Sequence, residues 1–315
     1  MQSRLRIGTR GSKLALTQTG MVIAALARAN GWSGEETKAR TEIVAIKTTG
    51  DRIQDRPLAD IGGKGLFAKE IEEALFADEI DCAVHSLKDL PAVMPEGLIL
   101  ACTLPREDPR DAFVSRAAKH LRDLPQGAIV GTSSVRRRAM LAHARPDLKL
   151  VEFRGNVDTR LRKLDDGVAQ ATVLALAGLK RLGVEANATH VFSNDEMLPA
   201  VAQGAIGIEI RASDTRTRDL IAGANHQPTD LAVALERAFQ AALGGSCRTP
   251  IAGLATFRDA RTLDFKGCVL SPNGDERVDV ERLAVTATTA REAEAIGADA
   301  GRELLSRAGR RFFDV

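Results

Sequence analysis

The chain has 315 residues, beyond the roughly 250–300 at which one hydrophobic core stops growing, so two or three domains are expected. Hydrophobic residues make up 44% and charged residues 27%, which excludes disorder and collagen-like repetition. A formal charge of +2 (44 Lys+Arg against 42 Asp+Glu) and few aromatics (ten Phe, one Trp, no Tyr) argue against a dedicated nucleic-acid binder and exclude a catalytic tyrosine.

Leu5 and Ile7 open a short alternating strand. Ser12 suits a helix N-cap, and Leu14, Met21, Val22 and Ala25 follow on one face. Residues 42–48 read as a strand. Residues 66–77 place Phe67, Ile71, Ala74 and Leu75 at the spacing of an amphipathic helix. Strands are expected at 81–85 and 98–103. Residues 105–111 (PREDPRD) read as a polar, proline-marked linker. A second alternating unit has strands at 128–131, 148–153 and 171–176, with helices at 133–144, 156–166 and 177–182. Residues 198–210 begin with a Pro and a Gly and finish as a strand. From 223 the pattern changes to a helix (228–243), the loop GGSC, strands near 251–257, 262–270 and 277–286, and a helix at 288–308. The fold class is α/β: two alternating units joined by two short crossings, with a cleft between them, plus a small α+β C-terminal domain. The division expected is 1–104 with 200–222, then 105–199, then 223–315.

No run of about 18 apolar residues exists, so no membrane span is expected. The N-terminal segment lacks an apolar signal core, and a cytoplasmic protein is expected. The cysteines at 82, 102, 247 and 268 lack the paired spacing of a zinc site, and no metal is called for. Cys82, Cys102 and Cys268 sit inside apolar strand runs. Cys247 differs: it lies in a Gly-rich loop beside Arg248, a cation able to lower its thiol pKa.

The turn after the third strand, His85-Ser86-Leu87-Lys88-Asp89-Leu90-Pro91, places a carboxylate beside a lysine where ligands bind in α/β sheets. Its alternative reading is a solvated turn. Between Ser133 and Lys163, seven Arg and two Lys stand against three acids, a local excess of +6. Thr132, Ser133 and Ser134 sit at a strand-to-helix junction, where free N–H groups favour an anion. Arg136, Arg137, Arg154 and Arg160 suit paired recognition of carboxylate or phosphate. Arg138, Arg162 and Lys163 read as a solvated helix face. The loops around Gly8–Lys13 and Gly62–Gly65 match neither nucleotide-binding fingerprint. These features fit a transferase or a carboxylate-binding protein.

At this point ten motifs, in order from residue 6 to about 253, resemble one family. They are RIGTRGSKLALTQ, IKTTGDRI, GGKGLFAKEIEEAL, DCAVHSLKDLP, REDPRDAF, GTSSVRRRAML, FRGNVDTRLRKLD, LAGLKRLG, LPAVAQGAIGIE and GGSCRTPIAG. The chain resembles the hydroxymethylbilane synthases, also called porphobilinogen deaminases. The resemblance implies two periplasmic-binding-protein-like (type II) domains and a third small one. It implies a transferase that joins four porphobilinogen molecules head to tail with loss of ammonia, then releases linear hydroxymethylbilane by hydrolysis. It further implies a dipyrromethane cofactor bound by a thioether to Cys247, and a monomer; no nucleic-acid or membrane partner is expected, on the charge balance, the few aromatics and the lack of an apolar span. Carried over motif by motif, Asp89 matches the catalytic aspartate, with Lys88 beside it. Ser86, Lys88, Asp89, Thr132, Ser133, Ser134, Arg136, Arg137, Arg154 and Gly155 match cofactor-binding positions. Arg10, Ser12, Lys64, Phe67, Arg154, Arg160, Arg181 and Gln203 match substrate-binding ones. Arg248 stands where many relatives carry glutamine. The main competing reading is a non-enzymatic two-lobed polycarboxylate-binding protein, which requires neither Cys247 nor Asp89. RNA binding through VRRR is a third.

Overall fold

A computed structural model describes residues 4–52, 65–244 and 249–313. The first sheet contains β1 (Leu5–Arg10), β2 (Thr41–Ile46), β3 (Cys82–Ser86), β4 (Leu98–Thr103) and, from much later in the chain, β10 (Ile206–Arg211). Its order is β2-β1-β3-β10-β4, with β1 parallel to β2 and β3, and β10 antiparallel to β3 and β4. The second sheet contains β5 (Asp111–Ser115), β6 (Ile129–Gly131), β7 (Lys149–Val151), β8 (Ala171–Ala175) and β9 (His190–Val191), ordered β7-β6-β8-β5-β9. Here β6 is parallel to β7 and β8, and β5 is antiparallel to β8 and β9.

Both sheets follow one plan. A three-stranded parallel group is followed by an inserted antiparallel strand and then an edge strand. The described residues divide into two compact units, one within Met1–Ile53, Gly63–Glu107 and Ala205–Asp230, the other within Asp108–Gly204 and Leu231–Val315. The inserted strands β5 and β10 are the first strands after Glu107 and Gly204, where the chain passes from one unit to the other. This is the periplasmic-binding-protein-like arrangement implied by the resemblance. The third sheet is an antiparallel meander of β11 (Ile251–Phe257), β12 (Thr262–Leu270) and β13 (Arg277–Thr286).

In the first unit, α1 (Lys13–Asn30) starts at Ser12, whose side chain accepts from the Ala15 N–H. It ends at Gly31, which takes the left-handed conformation at φ 67°. Two short helices, α2 (Gly34–Arg40) and α3 (Thr49–Arg52), precede α4 (Lys69–Phe76). Alternation along β3 sends Cys82 and Val84 to a core with Ile7, Val22, Leu26 and Ile208. Ala83 faces the other way, into a cluster with Ile71, Leu75, Ile80 and Leu98. In the second unit come α5 (Val135–Ala144), α6 (Val157–Asp165) and α7 (Leu176–Arg181). α8 (Thr215–Ala222) belongs to the first unit, and α9 (Gln227–Ala242) and α10 (Ala290–Ala308) complete the list.

Several expectations change. The buried face of α1 is Ala15, Gln18, Thr19, Val22, Ala25 and Leu26, while Met21 is 40% exposed. Polar Gln18 and Thr19 lie in that face, so a search for apolar residues finds the wrong phase. The segment 105–111 is not wholly a linker: Asp111 is fully buried and opens β5, a strand that the sequence reading lacks. Phe67 lies in the turn before α4 and not on its face. Cys82, Cys102 and Cys268 are buried, as their strand contexts imply. Burial pushes all three thiols up, Cys102 and Cys268 to about 12, so they are inert at neutral pH.

Candidate active site

In the first unit, β3 ends in a single 3-10 turn, Leu87–Asp89. The Leu87 N–H donates to the Ala205 carbonyl, and the Leu90 N–H closes the turn on the Leu87 carbonyl. Leu87 seats against Gly207, where a Cβ would lie 2.3 Å from its Cδ2 and force Leu87 or Leu100 to shift. The turn leaves Lys88 exposed and Asp89 half-buried. Among the described residues, no hydrogen bond or ion pair engages the Asp89 carboxylate. Ser86 Oγ lies 2.8 Å from Nε2 of Gln18 on α1.

Arg10 closes β1 and is held from two sides. Its Nε donates to Asp51 Oδ2 at 3.2 Å, and its guanidinium lies 4.1 Å from the centre of the Phe67 ring. Thr48 Oγ1 donates to the same Asp51 oxygen at 2.8 Å. Burial pushes the Asp51 carboxyl up, but Arg10 and Thr48 outweigh it and hold it below the usual range. A Cβ on Gly50 would come within 2.2 Å of the Phe67 ring, so glycine there leaves room for this stack. The Ser12 hydroxyl is used as the α1 cap.

In the second unit, Asp111 is the hub. Its Oδ2 accepts from Arg136 Nη2 at 2.7 Å, and its Oδ1 accepts from Arg137 Nη2 at 2.7 Å and Gln203 Nε2 at 2.9 Å. Arg136 and Arg137 also donate to the Leu198 and Val173 carbonyls. Burial pushes the Asp111 carboxyl up, yet the two guanidiniums hold it well below the ordinary range. Two cations share one carboxylate, so a buried positive charge remains. Arg136 Nε is buried without a hydrogen-bond partner. The three hydroxyls at 132–134 serve the backbone: Thr132 accepts from Ser134 N–H, Ser133 from Phe153 N–H, and Ser134 from Arg137 N–H.

Arg154 is buried three residues after Lys149–Val151 ends, as Glu152 and Phe153 intervene. Gly155 adopts φ +121°, and a Cβ there would meet Thr159 at 2.6 Å. Its carbonyl accepts from Arg160 Nε at 2.9 Å. Arg181, at the end of α7, donates to the Gly204 carbonyl at 2.6 Å. Gln203 is buried with its amide nitrogen on Asp111 and Pro109, a supporting place and not an open one. Arg138 donates to the Leu150 carbonyl and Lys163 to the Arg154 carbonyl. Both therefore brace the backbone, although the charge pattern marks them as a solvated face. Lys64, Cys247 and Arg248 lie outside the described residues.

The structure thus brings Arg10 and Phe67 together, and Arg136, Arg137 and Gln203 together. It adds Asp51 and Asp111, which sequence reasoning missed. Asp111 left one usable signal: it opens the short apolar run DAFVS straight after the proline-marked stretch. One α/β unit presents a carboxylate turn, and the other holds a buried guanidinium pair with more positive charge than its one carboxylate offsets, a pattern that points to the class of proteins that handle anionic ligands.

The comparisons make that class specific. The family described as porphobilinogen deaminase, dipyromethane cofactor binding domain, matches residues 5–219, and the porphobilinogen deaminase C-terminal domain matches 231–306. The chain belongs to the porphobilinogen deaminase family. A porphobilinogen deaminase of Paracoccus denitrificans is 56% identical over 313 residues, covering 99% of this chain and 97% of the relative. The chloroplastic enzyme of Pisum sativum is 52% identical over 311 residues, covering 98% and 83%. Among solved structures, the methionine binding protein MetQ aligns over 72% of this chain and 91% of its own, at 13% identity and TM-score 0.44. The residual charge on the Arg136–Arg137 pair and the orphaned Arg136 Nε fit the carboxylates of the family's dipyrromethane.

Proposed function

We propose that Asp89 and Cys247 carry the chemistry of this porphobilinogen deaminase. The chain condenses four porphobilinogen molecules head to tail with loss of ammonia, and releases hydroxymethylbilane by hydrolysis. This replaces the non-enzymatic and RNA-binding alternatives. The observation that carries the residue assignment is the Leu87–Asp89 turn, which offers a carboxylate without an internal partner beside a lysine.

When bound, the dipyrromethane supplies the pyrrole carbon to which the first substrate is joined. Cys247 is its attachment point through a thioether. Arg136, Arg137, Arg154 and Gly155 hold its carboxylates, with Thr132, Ser133 and Ser134 shaping the backbone around them. Arg10, Lys64, Arg160 and Arg181 bind substrate carboxylates, and Ser12, Phe67 and Gln203 keep their neighbours in place. Asp89 stabilises the positive charge that develops as ammonia leaves, and helps move protons to the leaving amine and from the coupling carbon. Lys88, next to Asp89 in the turn, presents a cation to the carboxylates of the incoming substrate. The reading keeps the three-domain division at 1–104 with 200–222, 105–199 and 223–315. Family domains that end at 219 and restart at 231 support the last boundary. It also keeps a cytoplasmic monomer, which size-exclusion chromatography checks.

Purified protein given porphobilinogen should release four ammonia per linear tetrapyrrole. Asp89→Asn should keep the primer and lose most turnover; turnover at the parental rate would remove Asp89 from its role.

A further inference from the structure

A buried group of ionisable residues lies behind the Asp89 turn and has no part in the chemistry above. His85 is on β3, two residues before Leu87. Its Nε2 lies 2.9 Å from Oε2 of Glu209 on β10, and the pair is almost fully buried. In the register of the two strands, His85 sits opposite Gly207, and Glu209 is the next residue on that face. Gly207 is also the position on which Leu87 rests. Glu72 approaches from α4. Its Oε1 and the Oε1 of Glu209 are both buried without a hydrogen-bond partner.

A buried carboxylate oxygen without a partner, close enough to a second carboxyl to feel its charge, favours the protonated form of Glu72. Burial first, and then Glu209, push the Glu72 carboxyl up to about 7, against a smaller lowering by His85. The charged groups that reach Glu72 are Glu209 on β10, His85 on β3 and Glu73 on its own helix. Arg6 of β1, which also packs on α4, is engaged with Asp78 and Asp81.

The helix that carries Glu72 follows directly on Phe67 and also holds Glu70, which accepts from the Thr49 N–H at 2.8 Å. The cluster therefore ties the segment that braces Arg10 to the strand that leads into the Asp89 turn. We infer that Glu209 is a positioning residue, which through His85 fixes the end of β3 and the Lys88–Asp89 turn, and that Glu72 in its neutral form lets α4 pack onto this joint. The inference rests on the assignment of Asp89 as the reacting carboxylate.

The test uses the full chain with its primer. Glu209→Gln should lower kcat about tenfold, leave KM within about twofold, and alter the pH profile of kcat. His85→Ala should do the same, and His85→Asn, which can still donate to Glu209, should recover most of the loss. Glu72→Gln mimics the neutral acid and should keep kcat. A carboxyl raised in the folded state stabilises most at low pH and loses that contribution as pH rises from 4.5 towards about 7. Glu72→Gln should therefore flatten the fall in melting temperature across that window. Parental kcat and pH profile in Glu209→Gln would overturn the positioning role. So would equal losses in His85→Ala and His85→Asn, which also decide the matter if Glu209→Gln does not fold. An unchanged pH dependence in Glu72→Gln would overturn the role of neutral Glu72. Asp89→Asn turnover, measured alongside, separates these failures from failure of the Asp89 assignment.

Discussion

Asp111 shows how one side chain can set the electrostatics of a buried guanidinium pair. Arg136 and Arg137 are 4% and 5% exposed, and without Asp111 they would be two like charges in a dry environment. With it they form a rigid fork whose remaining charge suits one carboxylate. Breaking a buried pair from one side leaves uncompensated charge, so Asp111→Ala should destabilise the protein by about 3–5 kcal/mol in urea unfolding. A loss below about 1 kcal/mol would show that the fork is not held this way. The pH sign follows from the lowered Asp111 carboxyl. Its contribution is present above the ordinary carboxylate pKa of about 3.9 and is lost as pH falls through the folded value. Arg154, Asp89 and Cys247 stand out in the sequence because each follows a strand or helix end with little beside it to bury. Asp51 and Asp111 do not, because their significance comes from partners distant in the chain: Arg10 is 41 residues from Asp51, and Arg137 is 26 from Asp111.

Among the elements, those with a strong period were readable and those without were not. β11, β12, β13 and the long helices α9 and α10 lie within two residues of their expected bounds, because each is long enough to show its pattern, although β13 buries only Val280. β5 escaped because five residues are too few for a pattern, and its first is an aspartate. Two-residue β9 and the polar helices α2 and α8 escaped for the same want of an apolar period. Phe67 was drawn into α4 by its spacing, yet it serves the preceding turn under Arg10. That stack yields a test. Gly50→Ala puts a methyl into the Phe67 ring. KM for porphobilinogen should rise about tenfold, equivalent to about 1.4 kcal/mol of lost carboxylate binding. An unchanged KM would detach the Arg10–Phe67 stack from substrate binding.

For the whole molecule, the formal charge of +2 conceals a segment at +6 between residues 133 and 163. The structure reduces that excess from inside and outside the segment. Arg145 pairs with Asp147, Arg138 lies 3.8 Å from Glu152, and Arg136 and Arg137 share Asp111, which the segment does not contain. The unpaired charge that remains is smaller than the sequence sum. The two-sheet plan was foreseeable from strand–helix alternation, and family membership from ten ordered motifs. The antiparallel insertion of β5 and β10 was not, because it depends on which strand pairs after each passage between units. Intact-protein mass spectrometry with peptide mapping bears on the proposed chemistry most directly. Active protein should carry an adduct of two pyrrole units on Cys247 and on none of Cys82, Cys102 or Cys268; fully active protein with an unmodified Cys247 would contradict it.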